Sequence, residues 1–142
     1  ELMISQLTVF LANEKGRLAA ACRTLADAGF NMHSLVLADT ADFGVVRIFC
    51  DRPDEAAALL VDAGYRAAVT PVIAVRVPNE PGGLARLLEF CDEAGMNVEY
   101  GYCYSVGEDG AIDVLKIEGA DAEERLAAAG FAVVRAEEIY AA

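Results

Sequence analysis

The chain is poor in the residues that most catalytic and nucleic-acid-binding proteins rely on. His33 is its only histidine, which excludes a zinc site built on two imidazoles and leaves little basis for a Ser-His-Asp relay. Basic residues are scarce: 11 lysines and arginines stand against 23 acids, a formal net charge of −12. With no Lys/Arg cluster to reverse that field locally, nucleic-acid phosphates and anionic membranes are repelled. The four cysteines, Cys22, Cys50, Cys91 and Cys103, show no Cys-x-x-Cys spacing, which argues against a metal or redox motif. Apolar residues make up 56% of the chain, yet no run approaches the roughly 20 residues that span a bilayer. The start, Glu1-Leu2-Met3-Ile4, lacks the basic head and apolar middle of a signal peptide, so a cytoplasmic protein is expected.

What the chain has is a repeat. Asn13-Glu14-Lys15-Gly16-Arg17-Leu18 returns as Asn79-Glu80-Pro81-Gly82-Gly83-Leu84, an offset of 66 positions from Asn13 to Asn79. The same offset carries Ala28-Gly29-Phe30-Asn31-Met32 onto Ala94-Gly95-Met96-Asn97-Val98, Gly44 onto Gly110 and Leu60 onto Leu126. Two copies of one folding unit follow, residues 1–70 and 71–142, each close to the smallest size that folds alone. The cysteines do not share the offset: Cys22 matches Leu88 and Cys91 matches Leu25, which makes both look like core fillers on helices.

Each copy reads as βαββαβ. Ile4 to Leu11 is rich in strand formers, and Leu18, Ala21, Cys22, Leu25 and Ala28 mark one helical face, stopped by Gly29. Strands over Asn31–Thr40 and Val45–Cys50 turn at Asp42-Phe43-Gly44; Pro53 opens a second helix with Ala56, Leu59, Leu60 and Ala63 inside. A fourth strand over Tyr65–Thr70 passes almost directly into Pro71–Val77, the first strand of copy two. That copy continues with a helix burying Leu84, Leu87, Leu88 and Cys91, strands over Val98–Ser105 and Ala111–Ile117, a helix using Ala122, Leu126 and Ala129, and a strand at Phe131–Val134. The order predicts two ferredoxin-like α+β modules, each an antiparallel sheet with both helices on one face. Val45-Val46-Arg47-Ile48-Phe49 is apolar on both sides and Tyr100, Tyr102 and Tyr104 line one side of their strand, so burial on both sheet faces is expected, with a second chain completing the packing.

The repeated loop places a glycine and unpaired backbone amides at a helix start, where the helix dipole favours an anion such as a carboxylate. Any strand-to-helix turn also benefits from Asn and Gly, so the loop taken alone reads first as structural punctuation. Asn31 and Asn97, at the start of each second strand, add side-chain amides expected to meet the loop at one sheet edge. Glu14 and Glu80 offer a negative charge for an ammonium group. Together these features suit a zwitterion.

Asn79-Glu80-Pro81-Gly82-Gly83-Leu84-Ala85-Arg86-Leu87 followed by Ala94-Gly95-Met96-Asn97-Val98 resembles the ACT domain signature, and Asn13–Leu18 with Ala28–Met32 is a second match. The resemblance covers practically the whole chain as two tandem ACT modules without a catalytic domain. It implies a non-catalytic, allosteric regulatory protein that binds an amino acid at a module interface, with the modules paired side by side into an eight-stranded sheet and a homodimer as the assembly. The ligand contacts it implies are Asn13, Glu14, Gly16, Arg17, Leu18, Asn31 and Met32 in the first copy. In the second they are Asn79, Glu80, Gly82, Gly83, Leu84, Asn97 and Val98. No cofactor or metal is implied. The copies are unequal, because Lys15-Gly16-Arg17 stands where the second has Pro81-Gly82-Gly83, so non-equivalent sites are expected.

The other classes fit less well. Asp39, Asp42 and Asp109 flank turns without a nucleophile, base or metal spacing beside them, and an RNA-binding βαββαβ sheet needs paired aromatics and a basic surface. A second reading keeps the ACT modules in a regulatory subunit docked on an amino-acid biosynthetic enzyme. Asn31-Met32-His33-Ser34-Leu35 after the first loop resembles the acetolactate synthase regulatory subunit, whose single ACT module is followed by a different domain.

Overall fold

Aliphatic and β-branched residues set strands wherever the chain must present apolar side chains on both sides, and glycines end every helix that leads into one. The computed structural model describes residues 4–12, 14–39, 43–119 and 121–140. Asn13 and Asp42 lie outside them. The order is β1 (Ile4–Ala12), α1 (Arg17–Asp27), β2 (Met32–Asp39), β3 (Phe43–Cys50), α2 (Pro53–Asp62), β4 (Arg66–Val77), α3 (Gly83–Glu93), β5 (Val98–Gly107), β6 (Gly110–Ile117), α4 (Ala122–Ala128), β7 (Ala132–Val134) and α5 (Ala136–Tyr140). The chain divides into two compact units between Thr70 and Pro71, with Ile4 grouping with the second and Ile139 with the first.

Both units realise the expected topology. In the first the strand order is β2-β3-β1-β4, and in the second β5-β6-β4-β7, each neighbour running antiparallel where the register is defined. The eight strands expected are seven among the described residues, because the last strand of the first module and the first strand of the second are one uninterrupted strand, β4.

Each unit has its own core between sheet and helices. In the first, Leu7, Val9 and Leu11 of β1 meet Ala21 and Leu25 of α1, Ile48 of β3 and Ala56 and Leu60 of α2. In the second, Ile73, Val75 and Val77 meet Leu87 and Cys91 of α3, Leu115 and Ile117 of β6 and Ala122 and Leu126 of α4. Residues on the helix-free face are buried within the single chain as well: Gln6, Thr8 and Phe49 in the first unit, Ala74 and Val114 in the second. Thr8 and Thr70 hydroxyls share a hydrogen bond of 2.8 Å on that face.

The repeat is not ungapped throughout. Leu35 pairs with Ile48 in the first module and Gly101 with Leu115 in the second, so β2 maps onto β5 at 66 while Ile48 maps onto Leu115 at 67. Both modules carry an irregularity at the start of this strand, but β5 alone has a second one between Cys103 and Ser105, which makes Tyr104 the extra residue. One position fewer between β6 and α4 restores the offset, since Ala56 and Ala122 again occupy like places in their cores. The structural partner of Val46 is therefore Asp113, and that of Gly44 is Ala111 rather than Gly110.

Further expectations change: Ala63 and Ala129, expected on the inner faces of their helices, lie at the helix ends and are exposed. Cys91 is buried in the core, but Cys22 is only half-buried on the flank of α1, where Ala21 faces inward instead. Leu84 and Leu88 were expected inside α3 and are 46% and 39% exposed. Burial pushes the Cys50 thiol up to about 11 and also raises those of Cys22 and Cys91. A thiol reagent at about pH 8 should therefore label exposed Cys103 first, with Cys50 and Cys91 reacting only on unfolding. Mass spectrometry of partially labelled protein reads the order, and early labelling of Cys50 would contradict the packing.

Candidate functional site

The two glycine loops close in the same way. The Glu14 amide donates to the Ala12 carbonyl at 2.8 Å and the Arg17 amide to the Glu14 carbonyl at 3.3 Å; in the second loop Glu80 donates to Pro78 at 2.9 Å and Gly83 to Glu80 at 3.0 Å. Gly16 and Gly82 both sit at left-handed φ, 88° and 89°, where a side chain would be strained. At Gly83 the reason for glycine is close approach: a Cβ there would run into the Pro78 carbonyl oxygen. The first module has Arg17 at this place, and its turn is correspondingly wider, 3.3 Å against 3.0 Å.

These turns use two loop amides but leave the helix ends open. Neither α1 nor α3 has a side-chain cap, and the amides of Leu18, Ala19, Leu84 and Ala85 have no acceptor among the described residues. Nor does either helix carry an acid in its first turn, whereas α2 begins with Asp54 and Glu55 and α4 with Glu123 and Glu124. In a chain so rich in carboxylates, the two helices that follow the repeated loop are the ones whose positive dipole ends no first-turn acid offsets.

The modules differ in what surrounds that end. In the second, the Arg86 guanidinium lies against Gly82 and 3.6 Å from the Glu80 carboxylate. Loop, Arg86 and Arg76 border an open cavity of about 760 Å³, which the β5–β6 turn bounds with Glu108 and Asp109 and β7 bounds with Ala132. Positive charge at the helix end and Arg86 thus lies across this cavity from negative charge at Glu108 and Asp109. In the first module Ala20 stands in the place of Arg86, and Arg17 is turned over the Tyr65 ring at 5.4 Å. The adjoining cavity, lined by Glu14, Gly16, Leu18 and Leu37 among others, is about 150 Å³.

The amides at the other end of the helix stand apart from the loop. β1 ends opposite Phe43 and Gly44, whereas Met32 pairs with Cys50, six residues along β3 and so about 20 Å away. Because β1 and β2 are parallel, the helix between them must return the chain to the opposite end of the sheet. The Asn31 backbone N–H donates to the Asp51 carboxylate at 3.0 Å, and the Asn97 side-chain amide donates to Glu118 at 3.2 Å, each tying the start of one strand to the end of its neighbour. Met32 and Val98 pack on the cores. Within one module the structure does not bring these residues to the loop.

Residues 2–139 match the family described as an ACT domain pair. The chain belongs to that family. Among solved structures, protein BT0572 from Bacteroides thetaiotaomicron is 31% identical with a TM-score of 0.90, over 98% of this chain and 96% of that one. The regulatory subunits of aspartate kinase from Thermus thermophilus and Thermus flavus share the fold at TM-scores of 0.64 and 0.63. They are 18% and 17% identical, and the matches cover 88% and 90% of this chain and 89% and 91% of theirs. No curated protein matches. The ACT domain pair is a regulatory module, and among the described residues no helix is long and apolar enough to cross a membrane.

Reading the ACT pair from sequence missed Arg86 and Asp113. Arg86 lies one helical turn past the glycines, which puts it back over the loop. Asp113 was hidden by the register: at an offset of 66 it faces Arg47, and only the extra residue in β5 sets it opposite Cys103 in the place of Val46.

Proposed function

We propose that this ACT pair binds an amino acid or similar zwitterion and acts as a non-catalytic regulator. The supporting observation is the uncapped, acid-free start of α3 beside the Arg86–Glu80 pair. In this reading the ligand carboxylate lies on the Leu84 and Ala85 amides and Arg86, with Asn79, Glu80, Gly82, Gly83 and Leu84 around it. The loop of Asn13, Glu14, Gly16, Arg17 and Leu18 forms a weaker counterpart, because Arg17 is engaged with Tyr65. Asn31, Met32, Asn97 and Val98 enter such a site only across an interface between modules, and a homodimer is the assembly proposed to supply it; a solution mass of one chain at micromolar concentration contradicts that assembly. A regulatory subunit serving a separate biosynthetic enzyme is compatible with the same site, and co-purification of a large catalytic chain distinguishes it.

A thermal-shift screen of the twenty amino acids tests the reading directly. At a hundredfold excess over Kd, binding stabilises the folded chain by about 2.7 kcal/mol. Arg86→Gln should weaken the best ligand about tenfold, the loss of one charge-assisted hydrogen bond. A screen with no shift at millimolar concentration rejects amino-acid binding.

A further inference from the structure

The second module has an opening on the helix side of its sheet that the first module fills. Three positions in like places on β2–β3 and β5–β6 differ together: Leu35, Leu37 and Val46 in the first become Gly101, Cys103 and Asp113 in the second. Loss of the Leu35 side chain lets Leu115 move into its space, so that a Cβ on Gly101 would lie 2.8 Å from Leu115 Cδ2. Beside it, between α3 and the edge strand β5, a groove of about 310 Å³ remains, walled by Leu84, Leu88, Val98 and Leu115. This is why Leu84 and Leu88 are exposed although they continue the apolar face of α3.

Asp113 lines the same groove. The residue is only 7% exposed, but its carboxylate oxygens stay open to the groove, and it has no hydrogen-bond or ion-pair partner among the described residues. Burial alone raises its carboxyl above the ordinary value. A carboxylate among leucines with only groove water for a donor is poorly solvated, and Val46 shows that the fold runs without it at that position. A ligand with a charged donor and an apolar body would displace that water and pair the carboxylate directly.

We propose that the α3–β5 groove of the second module binds an organic cation, a primary ammonium on a short apolar body, with the ammonium on Asp113 and the body between Leu84, Leu88, Val98 and Leu115. The groove shares Leu84 and Val98 with the proposed loop site, but Asp113, its charged group, lies outside that site, and the assignment does not rest on amino-acid binding there. Size sets the class: the volume suits a body of several carbons, and one carboxylate matches a single positive charge.

Titration of the intact chain with n-butylammonium, followed by amide chemical shifts, tests the assignment. Saturable changes at Leu88, Gly101 and Leu115 are expected, with n-butanol, uncharged and of similar shape, binding about tenfold more weakly or worse. Asp113→Asn should abolish that preference. Asp113→Val should do the same while melting at a higher temperature than the parent, so that a loss of binding cannot be blamed on unfolding. The proposal is overturned if butanol and butylammonium bind alike, if Asp113→Asn keeps the preference, or if no shift saturates by about 50 mM, too weak for a built site.

Discussion

Leu87→Ala should destabilise the protein by about 3 kcal/mol or more, the usual cost of emptying a leucine site in a core that cannot collapse around it. Leu87 is fully buried on α3 and holds the place in its core that Ala21 holds on α1. The first module tolerates alanine there because larger neighbours compensate: Leu25 and Phe30 stand where the second module has Cys91 and Met96. The two cores thus reach similar filling with their large and small residues exchanged along one helix face. It follows that Cys91→Leu, one turn away from Leu87, should recover part of the loss in the double variant, a non-additive result expected only of residues that share a cavity. Chemical denaturation of the two single variants and the double variant measures the coupling. Additive losses would mean that the two positions do not share space.

Gly110→Ala should cost about 3 kcal/mol, from backbone strain and a steric clash acting together. Gly110 has φ +113°, and a Cβ on it would run into the Val77 carbonyl oxygen. Val77 pairs with Ala111, so the oxygen cannot withdraw without opening the β4–β6 ladder. Gly107, at the other end of the same turn, is the control: its Cβ would meet nothing within 4 Å, and its φ is not left-handed. Gly107→Ala should change stability by less than about 0.5 kcal/mol. Equal effects at the two glycines would show that the close approach to β4 is not what demands glycine.

Much of the architecture was legible because both periodicities are strong and repeated. Leu18, Ala21 and Leu25 mark α1, and Ala122 and Leu126 mark α4, so element order and the α+β arrangement follow from residue spacing. The five-residue α5 escaped notice, being too short to show a period; its start is held by the Arg135 amide donating to Glu138 at 2.8 Å. Leu84 and Leu88 were misread as core for a different reason: helical spacing shows which residues share a face, but not whether anything covers it. Asn31 and Asn97 were placed beside the loop because the second strand was expected to run beside the first, whereas β3 lies between them and β2 starts at the opposite end of the sheet.

The sequence by itself determined that there are two like modules, where their loops lie and that the glycines recur at helix starts, since these depend on local backbone conformation and residue spacing. Only the tertiary structure decided which of those residues meet. A single added residue in β5 shifted the pairing by one, and because side chains alternate between sheet faces, that step set Asp113 among apolar neighbours on the helix side. No local pattern reports register, because it is settled by pairing between strands that are distant along the chain.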